Sequence, residues 1–193
     1  MHGVKLGIIA APNEGSIRKA SRLGLDFVEF CINEGDDVRG FYEGRAQLRE
    51  HLDEYGLTAA SIGRWKSNRI DEQGRIIPGE LEACCRLIDA AHELECPNVV
   101  VGCNEIPQRS LYDNFTSAIV FFAELIAYAK PKGVTISTYN CRKVNFVHNP
   151  EAWKIVHGNL PELGIKFDPS HSRYFGGDYL QETMGWGDRF RHV

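Results

Sequence analysis

Gly164-Ile165-Lys166-Phe167-Asp168-Pro169-Ser170-His171 is the stretch on which the reading of the fold turns. A short apolar strand pattern runs straight into an acid, and a histidine follows three residues later. Pro169 has no N–H to give to a sheet ladder, so the strand, Ile165 to Asp168, is expected to stop there. Asp168 then stands at the C-terminal tip of the strand and His171 in the loop beyond it. In α/β proteins with parallel strands, such tips are where ligands and metals bind. Asp-Pro is also an ordinary strand terminator, so taken alone the segment reads equally well as a plain turn.

Outward from this stretch the chain alternates regularly between strand and helix patterns. Val4 to Ala10, Asp26 to Ile32, Leu57 to Ile62, Asn98 to Cys103 and Val134 to Thr138 are apolar runs of strand length. Helical stripes lie between them. Ser16 is placed to cap the first helix, and Arg45 to Tyr55 supplies the second. Glu80 to Glu95 is stopped by Pro97, and Leu111 to Lys130 is closed by Pro131. Asn149-Pro150 opens a helix through His157, and Asp178 caps a short one through Met184. Arg189 to Val193 reads as the opening of a seventh strand. Such alternation means repeated βαβ units on a parallel sheet. No GxGxxG or Walker pattern follows the first strand, which counts against a nucleotide-binding doubly wound sheet. A (β/α) TIM-barrel-type α/β fold suits the unit length. About six βα units fall short of the eight of a closed ring, so an incomplete barrel is expected over a single domain, residues 1–193.

Composition excludes several function classes. The 193 residues carry a net charge of -4, which gives no basic footprint for nucleic acid or an acidic membrane. No apolar run reaches the length of a spanning helix. Met1 to Ala11 reads as a strand and lacks a signal-peptide layout. The six cysteines, Cys31, Cys84, Cys85, Cys96, Cys103 and Cys141, show no C-x-x-C spacing and read as buried free thiols. These features together point to the cytoplasm.

The connections divide by length. Helix-to-strand links such as Gly24-Leu25 and Gly56-Leu57 are short, whereas most strand-to-helix links are long. In a barrel the long ones share the C-terminal face. The longest, Arg64 to Gly79, carries Trp65, Lys66, Asn68, Arg69 and Arg75, and reads either as a lid over a polar ligand or as a solvated insertion. Glu29, Asn104, Glu105 and His148 are further candidates at strand ends. His51, His92 and His157 fall on helices and read as surface or capped residues. Arg142 and Lys143 read as a solvated loop that is also able to meet a phosphate or carboxylate.

The run Gly164 to His171, its continuation Gly176 to Leu180 and the tail Trp186 to Val193 resemble the xylose isomerase-like TIM-barrel superfamily of sugar isomerases and epimerases. Val134 to Trp153 and the opening Val4 to Glu29 are similar as well. The resemblance implies a divalent-metal site, with Mn²⁺ or Mg²⁺ as the cofactor, at the barrel mouth. Asp168 matches the family's strand-six ligand, and His171 matches a histidine that contacts substrate or metal. Hard ions prefer such carboxylates with at most some imidazole. The implied reaction is isomerisation or epimerisation of a sugar or sugar acid through an enediolate, with Glu29, Tyr139, Asn140 and His171 as substrate-binding residues. The catalytic base is left unassigned.

Two departures from the family pattern bear on this. Tyr139-Asn140 stands where many members have Glu-Asn, and tyrosine is a poor ligand for a hard ion and a poor base at neutral pH. The chain also stops where the family continues with a strand-seven histidine and a strand-eight acid. An open arc of this kind is expected to expose an apolar inner face, and so either to associate as a homo-oligomer or to be part of a longer protein. The alternatives are a non-catalytic barrel that self-associates or binds a ligand and, less favoured, a hydrolase resembling apurinic-site endonucleases, which expects more strand-tip histidines and a basic groove.

Overall fold

A computed structural model describes residues 4–193. The part of the expected first strand that falls on Met1 to Gly3 lies outside the described residues. Among the described residues, seven strands are joined by one or two helices each. In chain order they are β1 (Gly7–Ala10), α1 (Glu14–Arg22), β2 (Phe27–Cys31), α2 (Val38–Glu43), α3 (Arg45–Tyr55), β3 (Thr58–Arg64), α4 (Pro78–Glu93), β4 (Asn98–Val101) and α5 (Leu111–Ala129). They continue with β5 (Thr135–Tyr139), α6 (Pro150–Asn159), β6 (Gly164–Lys166), α7 (Pro169–Tyr174), α8 (Tyr179–Trp186) and β7 (Phe190–His192).

The strands form one sheet in the order β1-β2-β3-β4-β5-β6-β7, every neighbouring pair parallel. This is an open half-barrel whose two ends are β1 and β7. It is curled enough for groups from its two ends to meet: the Phe27 ring on β2 lies 5.5 Å from the His192 ring on β7.

Period-two alternation decides which side chains go where. On β2, Val28 and Phe30 face the helices and are fully buried, while Glu29 points the other way. The helix-facing residues interlock with the apolar stripes of the helices, and Ile17, Leu87, Ile88, Phe121, Phe122, Leu125 and Trp153 are sealed from solvent. Each such side chain contributes about 1.5–3 kcal/mol by burial. The inner face differs from expectation. It carries Glu29, Ser61, Asn98, Ser137, Lys166 and His192, so it is largely polar and internally bonded, as in the 2.7 Å contact from Ser137 Oγ to Asn98 Oδ1. The apolar exposure lies instead on edge strand β1, where Ile8 and Ile9 are 48% and 58% exposed.

Local chemistry corrects several boundaries. Asn13, one turn earlier than Ser16, caps α1 by accepting the Ser16 N–H at 3.0 Å. β3 runs on to Arg64, and α2 is an additional helix capped by Asp37. Pro169 ends β6 as expected, but it also occupies the first position of α7, where a missing N–H costs nothing. His171 therefore sits on a helix and not in a loop. His157 is fully buried rather than surface-lying, its ring nitrogens 3.2 Å from Thr138 Oγ1 and 3.2 Å from the Leu163 carbonyl. Burial pushes its pKa down to about 4.

All six cysteines are free; Cys84, Cys96 and Cys103 are buried, whereas Cys31, Cys85 and Cys141 are partly exposed. The Arg64 to Gly79 connection combines a buried root with an exposed outer part, in which Glu72, Gln73 and Arg75 face solvent. Ser67, Arg69 and Ile70 are buried at its root, and Ile70 bridges Ile76. No helix among the described residues is long and apolar enough to cross a membrane.

Candidate functional site

The C-terminal ends of β3, β5 and β6 converge on a cavity of about 280 Å³. It is lined by Trp65, Lys66, Tyr139, Asn140, Lys143, Lys166, Asp168 and His171, with Ile9 and Cys141 completing the wall. Its size lies near the lower end of small-molecule pockets, about 300–1,000 Å³. Three of the four residues expected to bind substrate, Tyr139, Asn140 and His171, therefore meet at one place beside the expected metal ligand Asp168.

An aromatic corner forms one wall. The Trp65 and Tyr139 rings meet edge to face with centroids 4.5 Å apart. Gly63 on β3 and Gly102 just past β4 make the room. A Cβ on Gly63 would come within 2.3 Å of the Trp65 ring, and one on Gly102 within 2.5 Å of the Tyr139 hydroxyl. The indole N–H donates to Cys31 Sγ at 3.1 Å, and the phenol donates to the Lys143 carbonyl at 3.3 Å. Burial pushes the Tyr139 phenol well above its ordinary range, so it stays protonated and serves neither as base nor as anionic ligand at neutral pH.

The polar part of the lining comes from the ends of β5 and β6 and from α7. Asn140 donates to the Asp168 carbonyl at 2.7 Å and to Ser172 Oγ at 3.1 Å, and accepts the Asp168 N–H at 2.9 Å. Its amide is thus committed to the backbone of Asp168, and its role in this geometry is to hold that residue at the end of β6. The Asp168 carboxylate caps α7 by accepting the Ser170 N–H at 2.8 Å. Partial burial works against its ionisation, but hydrogen bonds from Ser170 and the nearby His171 hold its pKa below the usual carboxylate range. His171 Nε2 lies 3.7 Å from Asp168 Oδ2, and its ring is parallel to that of Phe175.

Glu29 is below this cavity rather than in its lining. It is 4% exposed, accepts from Ser61 Oγ at 3.0 Å and from Lys166 Nζ at 2.5 Å, and pairs with His192 Nε2. Burial alone would raise its pKa, but hydrogen bonds from His192 and Lys166, together with their charges, lower it to about 2. Glu29 therefore anchors the ammonium of Lys166, a residue that lines the cavity and whose Nζ lies 5.5 Å from the Trp65 ring. Lys166 was not singled out as a functional residue from the sequence. The available signal was its register, two residues before Asp168 on the same face of β6.

Other candidates lie outside this cavity. Asn104 Oδ1 accepts the Arg69 and Ile70 N–H groups at 2.6 and 3.0 Å, pinning the long connection. His148 and Arg142 line a separate cleft of about 540 Å³ beside α6 and α8, which shares Asn140 and His171 with the mouth.

A divalent ion needs several hard donors converging on one point. Asp168 and His171 offer a carboxylate and an imidazole. Among the described residues no group of three His, Cys, Asp or Glu side chains is arranged to hold a metal. Tyr139, protonated and bonded to the chain, adds no hard anionic donor. The described residues do not by themselves fit the metal site that the family resemblance implies.

Comparison with known proteins places this geometry in context. The family model described as xylose isomerase-like TIM barrel matches residues 17–193. No curated protein sequence matches the chain. Among solved structures, 3-keto-D-glucoside 4-epimerase from E. coli superimposes with a TM-score of 0.76 at 18% identity, over 93% of this chain and 72% of its own. D-allulose 3-epimerase from Methylomonas sp. gives 0.75 at 18% identity, over 96% and 70%. A xylose isomerase domain protein from Planctomyces limnophilus gives 0.73 at 17% identity, over 97% and 72%. With the strand order, the strand-tip cavity and the family match in agreement, the chain belongs to the xylose isomerase-like TIM barrel family.

Proposed function

We propose that this chain binds a sugar or sugar acid in the mouth cavity and takes part in its isomerisation or epimerisation through an enediolate. The observation that carries the reading is the convergence of Asp168, His171 and Lys166 on one cavity with the Trp65–Tyr139 corner. An aromatic face suits the C–H side of a sugar ring, and the polar wall suits its hydroxyls. Interconverting sugars in this way requires removal of a proton beside a carbonyl. Asp168 and His171 are the titratable pair positioned to carry that proton, and Asn140 orients Asp168. The Lys166 ammonium, fixed by Glu29, is placed to stabilise negative charge on the enediolate oxygen. No step is assigned to a metal, because the donor set among the described residues is incomplete.

The test is conversion of a ketose panel, with and without added Mn²⁺ or Mg²⁺, by the native protein and by Asp168→Ala. Turnover lost in the variant supports the reading; absence of turnover across the panel under every condition removes it. One observation favours a second reading, a ligand-binding barrel without turnover: a protonated Tyr139 occupies the β5 position where family enzymes carry a carboxylate. Sugar binding without conversion by the native protein would select it.

A further inference from the structure

We infer that the mouth cavity, lined by Lys66, Lys143 and Lys166, takes a sugar bearing an anionic group, a carboxylate or a phosphate. This rests on the sugar-handling reading and adds the charge of the substrate, which that reading leaves open.

The charge balance of the cavity is the first argument. Its lining residues include three lysines, Lys66, Lys143 and Lys166, and a single acid, Asp168. The chain as a whole carries a net charge of -4, so this positive concentration runs against the general composition. Of the three lysines, only Lys166 pairs with a carboxylate among the described residues, and that partner, Glu29, is shared with His192. An ammonium has three donors. Glu29 engages one side of Lys166, leaving the rest for a ligand in the cavity that the residue lines.

The second argument comes from the wall behind. Arg64 and Arg69 both bind a single carboxylate, Glu80, each at 2.8 Å. Arg69 is 1% exposed, and its charge is felt by the Tyr139 phenol. This unbalanced guanidinium charge is screened by salt less than a surface charge would be. It adds to the positive field at the mouth and makes an anion there more favourable.

The third argument is backbone geometry. Lys66 has φ 72°, and Val144, directly after Lys143, has φ 52°. Residues with a Cβ rarely adopt this left-handed region, and a β-branched one least of all. Such strain persists only where neighbours over-determine it. Here the neighbours are buried Ser67 on one side and, on the other, buried Asn145, whose side chain bonds the backbone of Cys103, Tyr139 and Val147. Both rim lysines thus project from backbone locked in place at the cavity mouth. Tyr139 fits the same scheme, since a carboxylate at that position would repel an anionic ligand.

The experiment is calorimetric titration of the full chain with D-fructose, D-fructose 6-phosphate and D-gluconate at low and high salt. One of the two anionic sugars is expected to bind about tenfold or more tightly than D-fructose, with the advantage shrinking as salt rises. Tighter phosphate binding assigns a sugar phosphate, and tighter gluconate binding assigns a sugar acid. The double variant Lys66→Ala/Lys143→Ala changes only exposed side chains. It is expected to weaken the anionic sugar about three- to tenfold and D-fructose by a clearly smaller factor. Lys166→Met is expected to cost about tenfold or more for the anionic sugar. If D-fructose binds as tightly as both anions, or the double variant binds all three as the native chain does, the inference is wrong and the sugar reading stands. If none of the three binds, both fall.

Discussion

Replacing Lys166 with methionine tests the centre of the site. Methionine keeps most of the stem and removes the ammonium. Glu29 then remains 4% exposed with Ser61 and His192 as its partners. The magnitude follows from the carboxyl's displacement. Its pKa falls from 4.5 to about 2, and at about 1.4 kcal/mol per unit this corresponds to about 3 kcal/mol of stabilisation at neutral pH. Lys166 shares that effect with His192, so its loss is expected to destabilise the protein by about 2 kcal/mol at pH 7, somewhat below the penalty for stripping a buried charge of all partners.

The sign with pH is fixed. A carboxyl whose pKa is depressed by folding stabilises above its unfolded value of 4.5 and loses that contribution as pH falls through about 2. In Lys166→Met the depression is smaller, so stability starts lower at pH 7 and declines less steeply over that acid window. Urea unfolding at a series of pH values, read by circular dichroism, measures both effects. A variant with unchanged midpoint and an unchanged acid profile would show that the Lys166–Glu29 pair does not form in solution, and the reasoning about Lys166 would fail.

Four further outcomes are expected. His157, buried and with its pKa lowered from 6.5 to about 4, stabilises the fold above pH 6.5 and loses about 3 kcal/mol as pH falls to 4; His157→Gln should flatten that decline in the same unfolding series, and an unchanged slope would refute the assignment. Gly102→Ala places a methyl 2.5 Å from the Tyr139 hydroxyl and 2.8 Å from Asn145 Cβ, so a loss of about 1–3 kcal/mol is expected by thermal melting, and a neutral substitution would contradict the packing described. Asn140→Ala unties the Asp168 backbone and should reduce turnover and sugar affinity together, while Asn140→Asp, which keeps one acceptor, should retain part of each; equal activity in all three proteins would remove the positioning role. The exposed Ile8 and Ile9 on edge strand β1 are proposed to drive self-association, which sedimentation should detect as a concentration-dependent mass that Ile8→Lys/Ile9→Lys lowers; a monomer at every concentration would count against it.

The sheet was legible because parallel strands are buried on both sides. Asn98 to Val101 reads as a continuous apolar run for that reason, and Asn149-Pro150 and Asp178 mark helix starts by their capping chemistry. Helix α2 was not legible, since Val38–Glu43 is about a turn and a half with Gly40 inside it and Gly44 at its end, stabilised by the Asp37 cap and by packing. Within the site, Asp168 and His171 could be read from one contiguous motif. The Glu29–Lys166 pair could not, because it spans 137 positions of sequence and depends on the curl of the sheet. The same cause hid His157, whose place on the sheet-facing side of α6 is settled by packing against Thr138 and Leu163. The polar inner face was misjudged because alternate residues on a short strand reveal their side only once the register is known.

The central claim is that a sugar held in the mouth cavity loses a proton from the carbon beside its carbonyl. The most direct measurement is mass spectrometry of ketoses and ketose phosphates incubated with the protein in D₂O. The account predicts uptake of a single deuteron next to the carbonyl of at least one of them with the native chain, and none with Asp168→Ala. Equal uptake by both proteins, or no uptake by the native chain from any sugar tested, would contradict it.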